Sequence, residues 1–176
     1  MRLENLDFSG KISKDDLLLL LKKEASNIHI NDIMNACAFL LKDGKYIQSS
    51  YRKEYFESYV KGFILRVKEI KENQEIYGEY VDTKELKESL ELLKEQEQLL
   101  IKMKSVDGHF FGIYQIISIY TTFVLDEPIH PVGTPFPGGF KVKYEDGTYI
   151  CPVKEKQKDN RNAVCGFCIA EQDESV

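Results

Sequence analysis

The sequence predicts a mainly α-helical protein, a bundle of about five helices followed by a small β-hairpin segment. Apolar residues recur at helical spacing along most of residues 1–127. After Pro128 the pattern changes, because prolines and glycines replace the helical periodicity and cysteines gather near the end. We therefore expect a helical bundle over residues 1–127 and a metal-bound, ribbon-like segment over residues 128–176, which contains the cysteines and histidine discussed below.

The first two helices are predicted by their capping residues. Ser13 can cap a helix that carries Asp15 and Asp16 in its first turn, where acidic side chains favour the positive end of the helix dipole. Five consecutive leucines follow and cover every side of this helix, which favours burial in the core over contact with a partner. A second helix is expected over residues 31–43, before the stop signal at Gly44.

The third helix, over residues 46–72, has the clearest periodicity in the chain. From Phe56 to Ile70 its apolar residues fall at spacings of 4, 3, 4 and 3. Gly62 interrupts this helix at a cost of up to about 1 kcal/mol relative to alanine. We therefore expect another part of the chain to pack closely against this glycine.

Two further helices complete the predicted bundle. Residues 83–103 carry a leucine stripe opposite a face of mixed lysine and glutamate, the pattern of a helix with one solvated side. Residues 109–125 are rich in isoleucine, threonine and valine, which would suit a strand. Their length without a turn signal favours a buried helix instead.

A β-hairpin is predicted over residues 140–150. Side chains alternate from Phe140 to Tyr144, and extended structure resumes at Thr148. Asp146 and Gly147 between them form a hairpin turn signal.

Three of the four cysteines lie in the last 26 residues. Cys151 stands at the expected end of the hairpin, and Cys165 and Cys168 form a C-x2-C pair. Zinc prefers four nitrogen or sulfur ligands in a tetrahedron. We assign His130 as the fourth ligand, because the proline after it stiffens a loop that leads into the same hairpin. A segment of about 50 residues with few large apolar side chains is marginal without a cross-link, which a structural Cys3His zinc site would supply. Packing of this segment against the helical region would lessen that need.

Three alternatives accompany this interpretation. The first is a zinc enzyme with an open ligand position, which would need Asp126 or Glu127 as a general base. The second is an iron–sulfur cluster. The third is a metal-free C-x2-C redox pair, although the usual βαβ context of that motif is not visible. His109 is the alternative to His130 as the fourth ligand.

The composition argues against several classes of protein. A net charge of −5 does not provide the basic surface that nucleic-acid binding requires. No apolar stretch reaches the roughly twenty residues of a transmembrane helix, and the N-terminus has no signal-peptide pattern. We expect a cytoplasmic protein with reduced cysteines, no membrane contact and at most a protein partner.

No phosphate-binding glycine loop, nucleophile elbow or HExxH motif occurs in the chain. A closed set of four ligands would leave no position for a substrate. The leading expectation is therefore a non-enzymatic binding or scaffold protein, in which the metal holds a recognition surface.

Several motifs together resemble a known family. They are HPVGTPFPGG from His130, CPVK from Cys151 and CGFCIA from Cys165. These motifs resemble an uncharacterised family of methanogenic archaea known only as a domain of unknown function, family twenty-one fifteen. The leucine-rich first helix and the YRKEY sequence from Tyr51 fit as well, so the likeness spans most of the chain. The resemblance implies an archaeal, cytosolic protein and implies no activity and no functional residues.

Overall fold

The computed structural model of the chain describes residues 3, 6–43, 48–102, 108–161 and 163–176. Its helices are α1 (Lys14–Ser26), α2 (Ile30–Asp43), α3 (Ser49–Tyr55), a π-helical turn (Phe56–Val60), α4 (Lys61–Glu72), α5 (Thr83–Lys102), α6 (Gly108–Phe123) and the short α7 (Lys154–Gln157). Its strands are β1 (Lys143–Glu145), β2 (Thr148–Cys151) and β3 (Glu171–Gln172). The prediction of a mainly helical protein with a small C-terminal β segment is confirmed. The predicted helix boundaries at Gly44, residue 46 and Met103 lie outside the described residues.

Helix α1 begins as its sequence predicts. The Ser13 hydroxyl accepts a hydrogen bond from the Asp16 backbone N–H at 3.0 Å, which satisfies one free donor of the first turn. Leu17 and Leu21 are fully buried, but Leu19 is 67% exposed. The leucine run is therefore buried on one side of the helix and reaches solvent on the other.

The predicted third helix consists of α3, the π-helical turn and α4 in succession. A π-helical turn adds a residue to the helical repeat and so shifts the phase of the apolar stripe. In α4, Gly62 lies directly against Pro131: a Cβ atom at this glycine would stand 2.9 Å from the proline Cγ. The expectation of close packing at Gly62 is confirmed, and the contact joins α4 to the loop that contains His130.

Helix α6 is a buried helix, as its length predicts. Ile119 and Tyr120 are fully buried, and so are the neighbouring hydroxyl residues Ser118 and Thr121. The Ser118 hydroxyl donates to the Tyr114 carbonyl oxygen at 2.7 Å, which shows how α6 buries polar side chains without leaving the donor unpaired. None of the described helices is long and apolar enough to cross a membrane.

The C-terminal sheet has the order β1-β2-β3. Strands β1 and β2 form the predicted hairpin, and Asp146 and Gly147 in its turn have positive φ angles of 51° and 84°. Strand β3 pairs with β2 in parallel and brings Gln172 opposite Cys151. This third strand was not predicted, because it has only two residues and no alternating pattern.

The C-terminal segment packs on the helices. Ile129, Val164 and Phe167 belong to the same buried apolar cluster as the helical residues. The ring of Phe167 stacks on that of Phe123, with 6.4 Å between the ring centres. The boundary between residues 127 and 128 stays a prediction, and the apolar core runs across it.

Candidate metal centre

Cys151 ends β2, and its side chain is buried. Burial raises the pKa of the Cys151 thiol, while hydrogen bonds from the backbone N–H groups of Val153 and Lys154 act to lower it. Such N–H donors favour the thiolate, the form of cysteine that binds metal. Because burial outweighs these donors, the Cys151 thiol stays protonated at neutral pH unless a metal displaces its proton.

Cys165 and Cys168 lie on one tight turn. The Val164 carbonyl oxygen accepts hydrogen bonds from the backbone N–H groups of Phe167 and Cys168, at 3.3 and 3.1 Å. A Cβ atom at Gly166 would stand 3.1 Å from the Lys158 carbonyl oxygen, so the glycine allows this close approach. The turn is anchored by the Phe167 side chain in the core.

The three C-terminal thiols influence one another electrostatically. The pKa of Cys165 is raised to about 11, chiefly by burial and then by the neighbouring Cys168 and Cys151 thiols. Because such interactions weaken with distance, the three side chains share one neighbourhood at the end of β2. The fourth cysteine, Cys37, lies apart in α2, where burial raises the pKa of its thiol.

The three soft sulfur donors suit zinc chemically. Among the described residues, however, no group of three or more His, Cys, Asp or Glu side chains is arranged so that it could hold a metal ion. Metal binding requires thiols to lose their protons, and side chains to converge on a common point. Both changes would be needed at Cys151, Cys165 and Cys168.

His130 follows the buried Ile129 and, like Pro131 after it, is partly buried. Its ring meets the ring of Phe136 edge-on, with 5.6 Å between the centres. Burial lowers the pKa of His130 to about 4, so the imidazole is neutral at pH 7, as a metal ligand must be. Its assignment as the fourth ligand stays a prediction.

The alternative fourth ligand, His109, belongs to the first turn of α6. Its side chain lies outside the described residues. His109 therefore stays the alternative to His130.

The two carboxylates considered as general bases are both engaged by other cations. An Asp126 carboxylate oxygen lies 2.5 Å from the Lys14 Nζ atom. Glu127 forms an ion pair with Arg66, whose guanidinium also contacts Glu69 at 2.8 Å. Both carboxylates are therefore already engaged in ion pairs within the chain, which weighs against their use as a general base in the zinc-enzyme alternative.

Sequence reasoning missed two residues beside the thiols. The Lys154 Nζ atom lies 2.5 Å from both the Cys165 and the Cys168 carbonyl oxygens. The partly buried Tyr114 has a raised pKa, to which burial contributes most and then the Cys165 and Cys168 thiols. Lys154 follows Cys151 closely in the chain and could have been suspected, whereas Tyr114 comes from α6 and carries no local signal.

Comparison with known proteins places the chain beside a group of archaeal sequences. Residues 13–173 match a family described as an uncharacterized protein conserved in archaea, DUF2115. A UPF0305 protein of Methanothermobacter thermautotrophicus is 44% identical, over 91% of this chain and 96% of the relative. A UPF0305 protein of Methanocaldococcus jannaschii is 33% identical, over 88% and 93% respectively. No solved structure matches the chain significantly. The matched range includes the three cysteines and His130.

Proposed function

We propose that this chain, which belongs to the archaeal DUF2115 family, is a non-enzymatic binding or scaffold protein whose C-terminal segment is held by one structural zinc ion. The observation that carries the proposal is that Cys151, at the end of β2, lies close enough to Cys165 and Cys168 for the thiols to interact electrostatically. The proposed setting is the cytoplasm, where reducing conditions keep thiols free.

The proposed ligands are the three thiolates and His130. When bound, zinc would draw four side chains from separate turns to one point and so cross-link the segment. Such a cross-link is valuable here, since the strands have three, four and two residues. Very short strands contribute few hydrogen bonds and little buried surface of their own.

A groove next to the cysteine turn supports the binding role. It has a volume of about 220 Å³ and is lined by Glu85, Glu88, Ser89 and Leu92 of α5, facing Gly166 and Phe167. One wall of this groove is therefore the turn that the metal would hold. Loss of the metal would alter the shape of the groove, which is how a structural ion could govern binding.

The leading function is distinguished from the enzyme and iron–sulfur alternatives by the metal and its ligands. A closed set of four protein ligands supports a structural role, and a water molecule in the fourth position would support an enzyme. An iron–sulfur cluster would give visible absorption, which zinc does not.

The test is elemental analysis of anaerobically purified full-length protein. We expect about one zinc per chain, and none in the double variant Cys165→Ser, Cys168→Ser. Cys37→Ser is the matched control, because Cys37 lies apart in α2, and it should retain the metal. Wild-type protein without metal, which also fails to take up added zinc, would overturn the proposal.

A further inference from the structure

One residue contacts all three C-terminal cysteines. Lys154 lies three residues after Cys151, and its backbone N–H acts on the Cys151 thiol. Its side-chain Nζ lies 2.5 Å from the carbonyl oxygen of Cys165 and 2.5 Å from that of Cys168. Lys154 therefore spans the two parts of the chain that the proposed metal would join.

The Lys154 ammonium group is placed to fix the position of the cysteine turn and to offset the charge of the proposed metal site. The Lys154 ammonium group donates two hydrogen bonds to the Cys165–Cys168 turn and so holds this turn near the end of β2. Hydrogen bonds from a charged donor are stronger than neutral ones. Three thiolates around one divalent zinc leave a net negative charge, which a neighbouring cation offsets. The Lys154 charge reaches both the Cys151 and the Cys165 thiols.

The neighbouring lysines are engaged differently. Lys158 forms an ion pair with Glu155, and Lys143 pairs with Asp173 at 3.2 Å. Lys156 lies in the same short helix as Lys154 but is exposed. Lys156 therefore provides a matched control for removing a lysine from α7.

We propose that Lys154 is the positioning residue of the metal centre: its ammonium group holds the Cys165–Cys168 turn against the end of β2 and balances the charge of a three-thiolate zinc site. This inference rests on the proposed zinc function. Substitution of a residue that contacts the ligands and not the metal typically lowers metal affinity by about 10- to 100-fold.

The experiment compares full-length wild type with Lys154→Met, Lys154→Gln, Lys154→Arg and Lys156→Met. Zinc affinity is measured by competition with a chromogenic chelator, and the sulfur-to-metal charge-transfer band is recorded with cobalt in place of zinc. We expect Lys154→Met to bind zinc at least about tenfold more weakly and Lys156→Met to match wild type. Lys154→Arg should recover more affinity than Lys154→Gln, because only arginine restores the charge.

The cobalt band separates positioning from general loss of structure. We expect Lys154→Met to show, at saturating cobalt, a band of nearly wild-type intensity, because all three thiolates still bind. If Lys154→Met does not fold, the zinc affinities of Lys154→Arg and Lys154→Gln show whether the charge at this position supports metal binding. Equal affinities of wild type, Lys154→Gln and Lys154→Arg would overturn the inference and leave the zinc proposal intact. Failure of wild type to bind zinc or cobalt would overturn the zinc proposal itself, and the inference with it.

Discussion

The helical region and the C-terminal segment are held together in different ways. In the helices, fully buried apolar side chains such as Leu21, Ile70 and Leu93 come from α1, α4 and α5 and share one core. Each such side chain contributes about 1.5–3 kcal/mol by burial. Stability in this region is therefore spread over many contacts, and the loss of one leaves the others in place.

The C-terminal segment shares that core through Ile129, Val164 and Phe167, but its own strands and turns are joined to one another by a few polar contacts. Lys154 bonds to two carbonyl oxygens of the cysteine turn, and Gln172 bonds to the Pro152 carbonyl oxygen at 3.3 Å. The Asp173 carboxylate accepts from Lys143 and from the Ser175 hydroxyl. The difference shows that one chain can combine a core stabilised by many apolar contacts with a segment whose conformation depends on the polar contacts of a few residues. Four predictions test this contrast.

The largest effect is expected from removing the metal. Structural zinc supplies roughly 10–16 kcal/mol of apparent binding free energy in small peptides. We expect a strong chelator to speed amide hydrogen exchange in residues 148–173 of zinc-loaded protein, while the far-UV helical signal largely persists. Simultaneous loss of the helical signal would contradict the contrast, because the helices would then depend on the metal too.

Phe167→Ala probes the apolar link between the two regions. The Phe167 ring is buried against Phe123, and removal of a core phenylalanine costs about 3–5 kcal/mol. We expect the midpoint of urea unfolding, followed by helical signal, to fall. Phe167→Leu, which keeps most of the volume, should cost less. An unchanged midpoint in Phe167→Ala would mean that the helices do not rely on the segment at all.

Gly62→Ala probes the contact between α4 and the His130 loop. A Cβ atom here would meet Pro131 at 2.9 Å, and overpacking costs about 1–3 kcal/mol. Gly112 in α6 is the control, since a Cβ atom there would meet nothing within 4 Å. We expect the melting temperature to fall in Gly62→Ala and to rise or stay in Gly112→Ala, because alanine favours a helix. An equal rise in the melting temperature of both variants would show that the loop containing Pro131 moves to accommodate the added Cβ atom.

The smallest effect concerns a polar contact within the helical region. The Asp15 carboxylate accepts backbone N–H bonds from Tyr77 at 2.9 Å and Gly78 at 3.0 Å, and these bonds lower its pKa. A pKa that is lower in the folded than in the unfolded state stabilises the fold above the unfolded value. That contribution is lost as the pH falls through the folded pKa.

We therefore expect acidification from neutral pH to below pH 4, where carboxylates of ordinary pKa protonate, to lower the melting temperature of wild type more than that of Asp15→Asn. The exposed Asp159 is the control, and Asp159→Asn should follow wild type. An identical acid response in Asp15→Asn and wild type would show that this contact contributes nothing measurable.

Much of the fold could be predicted because its signals are local. The Ser13 cap, the regular stripe from Phe56 to Ile70 and the uninterrupted stretch that became α6 depend on residues within one or two turns of each other. The hairpin turn at Asp146 and Gly147 depends on the φ angles that these two residues tolerate.

The sequence by itself determined the helices, the hairpin and the presence of three soft metal donors near the C-terminus, because residue type and short spacing specify them. Only the tertiary structure decided how distant residues meet. It brought Gly62 against Pro131, engaged Asp126 and Glu127 with Lys14 and Arg66, and added β3 beside β2. Partners such as these lie tens of residues apart, and their approach depends on how the helices pack, a property that no local pattern contains.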